Sequence, residues 1–233
     1  MTGAIAIFVK TPGYSAVKTR LAAAIGDAAA HAWYVRAAAA VAEVAEAAAR
    51  ATGTAVYFAV AEAAALAAGA WPTLPCLPQG EGGLGARMGR VHHELVRRHG
   101  SGVLLGADAP QLPREALVEA LVWCVAPEAR QALGPARDGG FWLYAGNRMA
   151  PLATWDAVPY SRADSADRFR AAFAGHGAFL ALPRVTDVDR AADLAVMRRE
   201  LAALAAPLPA QDALAAWLDA TCFTADAAAK ERA

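Results

Sequence analysis

Ala4-Ile5-Ala6-Ile7-Phe8-Val9 runs without a polar residue, and Lys10 with the loop Thr11-Pro12-Gly13-Tyr14-Ser15 ends it. A continuous apolar run of this length, rather than an alternating one, suits a strand buried on both faces of a parallel sheet. The rest of the chain yields to the same logic. A long helical segment spans about 28–51, with Trp33, Ala37, Val41, Val44 and Ala48 at helical spacing and Gly53 as its stop. Ala55–Val60 reads as a second strand and about 62–69 as a short helix. Thr73–Pro78 carries Pro75 and Pro78, which demotes it to an edge strand or a loop. Gly80–Gly85 leads into a helix reaching His99, with Leu84, Met88, Val91 and Leu95 as its expected inward stripe.

Val103-Leu104-Leu105-Gly106 is the next strand, and a helix starts at Pro113. Gln131–Ala136 and Phe141–Ala145 read as strands on either side of Asp138-Gly139-Gly140. Helices near 161–174, 190–206 and 210–221 surround a last strand at Ala178–Pro183. Strands alternating with helices predict an α/β fold, a mostly parallel sheet covered by helices on both faces. The chain has 233 residues, which fits one large α/β domain, or one domain with a short C-terminal appendage. The residues after Thr224 are expected to fray.

Composition narrows the function classes. Hydrophobic residues make up 57%, enough for a sizeable core. Lys plus Arg equals Asp plus Glu at 22 each, so no basic face for nucleic acid is expected and any anion site must be local. Cys76, Cys124 and Cys222 lack zinc spacing and read as buried free thiols. The first apolar run is too short for a signal peptide or a membrane span, and no later stretch qualifies. These features predict a cytoplasmic protein without a membrane partner.

Ligands of open α/β sheets sit beyond the carboxyl ends of strands, so the residues just after each strand are the candidates. After the first come Lys10, Lys18 and Arg20, three cations within eleven positions. They are either a diphosphate clamp, assisted by loop and helix-start N–H groups, or a solvated basic turn. Asp108, in Ala107-Asp108-Ala109-Pro110, is placed to hold Mg²⁺ or Mn²⁺ against phosphate oxygens. A helix cap is the alternative, weakened because Pro110 and Pro113 stand between Asp108 and the helix. Gly80-Glu81-Gly82-Gly83-Leu84-Gly85 matches a dinucleotide fingerprint, yet that motif must follow a central strand, and here an edge strand or loop precedes it. A loop and helix start close to a ligand, with Arg87 as an added cation, remains open. Gly139 and Gly140 permit close backbone approach to a ligand, or form a plain hairpin turn. Asp187 and Asp189 are a second metal ligand, or Asp189 caps the helix at about 190. For His92-His93, one surface and one partly packed side chain is expected. No nucleophile elbow and no Gly-Lys-Ser/Thr phosphate loop occurs.

Together these stretches resemble the DUF2064 family, regarded as GT-A-type glycosyltransferases and associated with radical-SAM and arsenosugar gene clusters. The carrying pieces are Phe8-Val9-Lys10-Thr11-Pro12 with Val17-Lys18-Thr19-Arg20-Leu21, then Gly83-Leu84-Gly85-Ala86-Arg87-Met88. Leu105–Pro113, Leu133–Phe141, Val158-Pro159-Tyr160-Ser161 and Asp187-Val188-Asp189 come next in family order, to about residue 200. Tyr14-Ser15 stands where many members have Pro-Gly, and Phe141-Trp142 where Tyr-Tyr is usual.

The resemblance implies a GT-A nucleotide-diphospho-sugar transferase-like catalytic domain over 1–206, with 207–233 as helical appendage and tail. It implies metal ligation by Asp108 and Asp189. Lys10, Thr11, Pro12, Lys18, Arg20, Gly83, Gly85 and Arg87 would contact nucleotide phosphates. Asp138, Gly139, Gly140, Trp142 and Tyr160 would contact a small-molecule acceptor. The implied activity is sugar transfer from a nucleotide sugar, with Asp108, Lys18 and Arg20 carrying it. Two rivals stand beside it, a nucleotidyltransferase releasing pyrophosphate and an idle nucleotide-binding protein.

Overall fold

A computed structural model describes residues 3–221. The expectations for Cys222 and for the tail after Thr224 lie outside that range. Seven strands form one mixed sheet: β1 Ala4–Val9, β2 Ala55–Val60, β3 Cys76–Pro78, β4 Gly102–Gly106, β5 Arg130–Pro135, β6 Phe141–Gly146 and β7 Ala178–Ala181. Their spatial order is β3-β2-β1-β4-β6-β5-β7. All neighbouring pairs are parallel except those of β6, which is antiparallel to both β4 and β5. The expected α/β class holds, with that one reversal. β3 pairs only with β2 and lies at the sheet edge, where Pro78 costs no ladder bond.

Nine α-helices and a single 3-10 turn at Ala174–His176 complete the described chain: α1 Thr19–Ile25, α2 Asp27–Thr52, α3 Ala63–Ala67, α4 Leu84–His99, α5 Arg114–Trp123, α6 Leu152–Asp156, α7 Ser165–Phe173, α8 Ala191–Ala202 and α9 Pro209–Thr221. The period of two in each strand sorts its side chains onto two cores. On β1, Ile5, Ile7 and Val9 join α1, α2, α5, α8 and α9 on one face. Ala4 and Ala6 join α4, α6 and α7 on the other. α2 meets its neighbours largely through alanines, among them Ala37, Ala38, Ala45 and Ala48, whose short side chains let the helix lie close. α9 also packs on α2: Leu214 and Leu218 enter the same core, and Glu43 accepts the Ala210 N–H. No helix among the described residues is long and apolar enough to cross a membrane.

Three sequence-based expectations change. Leu84, the first residue of α4, is 46% exposed and lines a cleft, while Met88, Val91 and Leu95 do face the core. His92 is fully buried between the rings of Tyr144 and Trp155, with Nε2 3.2 Å from the Gly146 carbonyl. His93 is half-buried, Nε2 2.6 Å from the Ala150 carbonyl. Neither histidine is a free surface side chain. α1 and α6 are not anticipated at all: they have seven and five residues, and no side chain caps either start.

Candidate functional site

From β1, successive strands build outward in one direction through β2 to β3, and in the other β4 begins the second half. The order therefore reverses between β1 and β4, and a crevice at their carboxyl ends is where such sheets bind ligands. A cleft of about 790 Å³ opens there, lined by Lys10, Lys18, Arg20, Asp108, Asp187 and Asp189 among others. Because β6 runs against β4, the β5–β6 hairpin tip falls on the same edge, and the segment after β7 returns to it beside Ala136. Four stretches far apart in sequence are thus brought together.

The first stretch is the loop after β1. Its fold is organised by Glu62, whose carboxylate accepts the Thr11 N–H at 3.1 Å and the Ser15 hydroxyl. Nothing in the sequence singles out Glu62. Thr11 Oγ1 accepts from the Trp71 indole at 2.9 Å, and Lys10 donates its N–H to the Tyr34 hydroxyl at 3.0 Å. Thr11 is therefore engaged away from the cleft. Tyr34 was hidden in the apolar stripe of α2, and burial raises its pKa. The loop ends at Lys18, in left-handed backbone with φ 51 and ψ 43, as the residue before α1.

Lys18 carries the centre of the site. Its side chain is 9% exposed, with Nζ 2.7 Å from Asp108 Oδ2 and 3.9 Å from Asp189 Oδ1. Burial alone would depress its pKa, but Asp108 first, then Asp189 and Asp187, outweigh burial and hold the ammonium charged. Arg20, largely exposed, sits 2.6 Å from Asp189 Oδ2. Neither cation is a freely solvated turn residue: both sit on cleft carboxylates.

The segment 186–189 is held from outside the cleft. Glu200 of α8 accepts the Thr186 N–H at 2.9 Å, the Thr186 hydroxyl at 3.0 Å, the Gln111 amide at 2.9 Å and Arg137 Nε at 2.8 Å. The Val188 N–H donates to the Asp108 carbonyl at 3.2 Å, tying the segment to the end of β4. Asp189 does not cap α8. Asp193 does, accepting the N–H groups of Asp189 at 3.0 Å and Arg190 at 2.7 Å, which leaves the Asp189 carboxylate to the cations. Asp187 Oδ1 is buried and accepts no hydrogen bond. Burial, then the neighbouring charges of Asp108 and Asp138, push its carboxyl up to about 7.

The remaining candidates divide. Asp138 and Gly140 line the cleft, but Asp138 Oδ1 accepts the Gly140 N–H at 2.7 Å, a side-chain turn within the hairpin. Gly139, at φ +94, lies against the backbone of Ala163, where any Cβ would collide. Tyr160 lines the cleft and donates to the Trp155 carbonyl at 2.9 Å. Trp142 touches the cleft, yet its indole is buried and donates to the Pro183 carbonyl at 3.0 Å. Pro12, Gly83, Gly85 and Arg87 are not among the lining residues. Gly85 is a packing position, since a Cβ there would stand 2.8 Å from the Tyr160 ring, and Arg87 donates to the Gly82 carbonyl at 2.9 Å. Gln79, Arg162, Arg190 and Asp193 also line the cleft, and no sequence signal marks them for it.

The donor set can be weighed against a divalent cation. Among the described residues no group of three or more His, Cys, Asp or Glu side chains is arranged to hold a metal by itself. Mg²⁺ typically takes only one or two carboxylates and completes its shell with water and phosphate. Asp108 and Asp189, converging on one ammonium, with the orphaned Asp187 oxygen close by in sequence, fit that sparse demand.

Comparison with known proteins agrees with the architecture. The family model DUF2064, described as an uncharacterized protein conserved in bacteria, matches residues 40–162. A Desulfovibrio desulfuricans G20 protein, named as a candidate nucleotide-diphospho-sugar transferase, has 25% identity and a TM-score of 0.79, over 93% of this chain and 95% of its own. The expected GT-A-like, nucleotide-diphospho-sugar transferase-type α/β fold is the observed one. CMP:2-keto-3-deoxy-manno-octonic acid synthetase, solved with CTP, is far more distant at 15% identity and a TM-score of 0.49, over 86% of this chain and 98% of that one. A cytidylyltransferase from Leptospira borgpetersenii is at 11% identity and 0.46, over 97% of each chain. At such distances neither of these two likenesses speaks to the chemistry of this chain. No curated protein matches the chain.

Proposed function

We infer the function from one premise: the chain belongs to the DUF2064 family of bacterial proteins. On that premise it is a transferase that binds a nucleotide sugar in the 790 Å³ cleft and passes the sugar to a small acceptor. One observation carries the reading. At the point where strand order reverses, Lys18 and Arg20 are gathered with Asp108 and Asp189, a set of cations and carboxylates suited to a diphosphate. The name of the Desulfovibrio protein, similar over nearly its whole length, supports the same substrate class.

Sugar transfer from such a donor requires the departing diphosphate to be neutralised as charge develops on it. Lys18 and Arg20 would bind the phosphate oxygens, and charge-assisted bonds of this kind are worth roughly 1.5–3 kcal/mol each. Asp108, with Asp189, would hold Mg²⁺ or Mn²⁺, which when bound supplies further charge neutralisation at the leaving oxygens. Gly140 and Tyr160, which also line the cleft, are where the acceptor would be received. The nucleotidyltransferase reading uses the same cations on a triphosphate.

The two reactions release different products. The protein is incubated with nucleotide sugars and, separately, with nucleoside triphosphates plus sugar phosphates, with and without Mn²⁺. Nucleoside diphosphate release supports the proposal, and pyrophosphate release would transfer it to the rival chemistry. Stabilisation by nucleotide, about 2.7 kcal/mol at a hundred times Kd, with no turnover of any donor would leave a binding protein and end the enzymatic reading.

A further inference from the structure

We propose that Lys18 is the resident counter-ion of the carboxylate site, so that a divalent cation enters together with the phosphates that draw Lys18 away, and not before them. The inference rests on the proposed function, and it assigns to Lys18 a role beyond phosphate binding.

Three observations carry it. The Lys18 ammonium bridges the two carboxylates expected to ligate metal, at 2.7 Å from Asp108 and 3.9 Å from Asp189. With only 9% of its side chain exposed, this is not a solvent-screened surface pair whose partners part freely. Second, Lys18 holds its place in left-handed backbone, φ 51 and ψ 43. Residues other than glycine keep that conformation where their surroundings over-determine it, and such residues cluster at ligand clamps. Third, Lys18 and Arg20 take up Asp108 and Asp189, yet buried Asp187 Oδ1 is left as an oxygen acceptor without a partner. The site thus retains attraction for a second cation while its best position is occupied by the first.

A metal ion alone would have to share Asp108 with the ammonium, and the repulsion opposes it. A diphosphate alters the balance by offering Lys18 new acceptors, which frees the carboxylates for the ion. Metal and diphosphate then favour each other's binding by one common factor, because such coupling is reciprocal.

Free Mn²⁺, counted by its electron paramagnetic resonance signal, reads this without any turnover. The expected result is that wild type binds Mn²⁺ alone poorly. Lys18→Met, which keeps the stem and loses the charge, binds Mn²⁺ alone at least tenfold tighter. Lys18→Arg behaves as wild type. CDP, GDP and UDP, tried in turn, should tighten Mn²⁺ binding to wild type by tenfold or more with the nucleotide that fits, and to Lys18→Met by less. Lys18→Gln stands in if the methionine variant does not fold. Neutral variants no tighter for Mn²⁺ than wild type overturn the inference, as does wild type that binds Mn²⁺ alone as tightly as with a diphosphate. In both cases the proposed transfer reaction still stands. Absence of Mn²⁺ binding by every protein, with and without diphosphate, overturns the inference and removes the metal from the proposed function as well.

Discussion

His92 lets acid sensitivity be calculated rather than described. Its ring is fully buried, Nε2 faces the Gly146 carbonyl, and Nδ1 has no partner, so a second proton would enter unsolvated. Burial foremost, aided by His93, pushes its pKa from 6.5 down to about 3. The sign is then fixed. Between these values the unfolded chain binds a proton that the folded chain refuses, so stability is full above 6.5 and falls as pH drops toward 3. Each pH unit in that window is worth about 1.36 kcal/mol. From neutrality to pH 5 the loss due to His92 is about 2 kcal/mol, a large share of a typical net stability of roughly 5–15 kcal/mol. With a urea m-value of about 2 kcal/mol/M the unfolding midpoint should drop by about 1 M. His92→Gln is less stable than wild type at neutral pH, through lost packing against Tyr144 and Trp155, but lacks this increment. Urea titrations of both proteins at about pH 7.5 and 5.0, on either side of the unfolded-state value, isolate it as a double difference. Equal losses in the two proteins would refute the reasoning, for the proton uptake would then lie elsewhere.

Three further outcomes test the cleft. Asp108→Asn should abolish Mn²⁺-dependent nucleotide binding, measured by titration calorimetry, and should also lower the melting temperature, because the largely buried Lys18 ammonium loses its nearest counter-charge. Glu200→Ala, which releases four donors holding residues 111, 137 and 186, should weaken nucleotide binding from outside the cleft, and Glu200→Gln should restore part of it. Gly139→Ala should lower the melting temperature, since φ +94 and the Ala163 backbone both exclude a Cβ. A normally stable Gly139→Ala protein would show that the hairpin can give way.

The strands were legible because their burial on two faces leaves an apolar run with few competing readings. Ala4–Val9 and Ala55–Val60 coincide with β1 and β2 for that reason. The antiparallel sense of β6 was half legible: Asp138-Gly139-Gly140 signalled a hairpin, yet the alternation around it argued for parallel strands. Asp108 and the cations, which line the cleft, stood out as candidates because both follow strands. Glu62, Tyr34, Gln79 and Glu200 escaped because each sits in or beside a helix or at a sheet edge, and the partners that tie it to the site lie at least 14 residues away in sequence. Asp189 had a cap as its competing reading because an acid before a helix usually is one. Only the folded chain reveals that Asp193 already fills that role.

That last pair points to a physical way of sorting the acids around the cleft. Glu62, Asp193 and Glu200 commit oxygens to backbone N–H groups, and Asp138 does so within its own turn. A carboxylate satisfied by backbone fixes a loop, and its removal disturbs geometry. Asp108 and Asp189 commit theirs to the side-chain ends of Lys18 and Arg20, and one oxygen of Asp187 has nothing. Cationic side chains can be exchanged for a ligand without unfolding the segment that carries the acid, whereas backbone donors cannot. The acids available to chemistry are therefore Asp108, Asp187 and Asp189, all at one edge of the sheet, and the loop-fixing acids hold them there. Glu200 and Asp193, both on α8, position the same four-residue segment from two sides. A substitution of Glu200, which does not line the cleft, should consequently reach it through the placement of Asp187 and Asp189, and not through any contact of its own with a nucleotide.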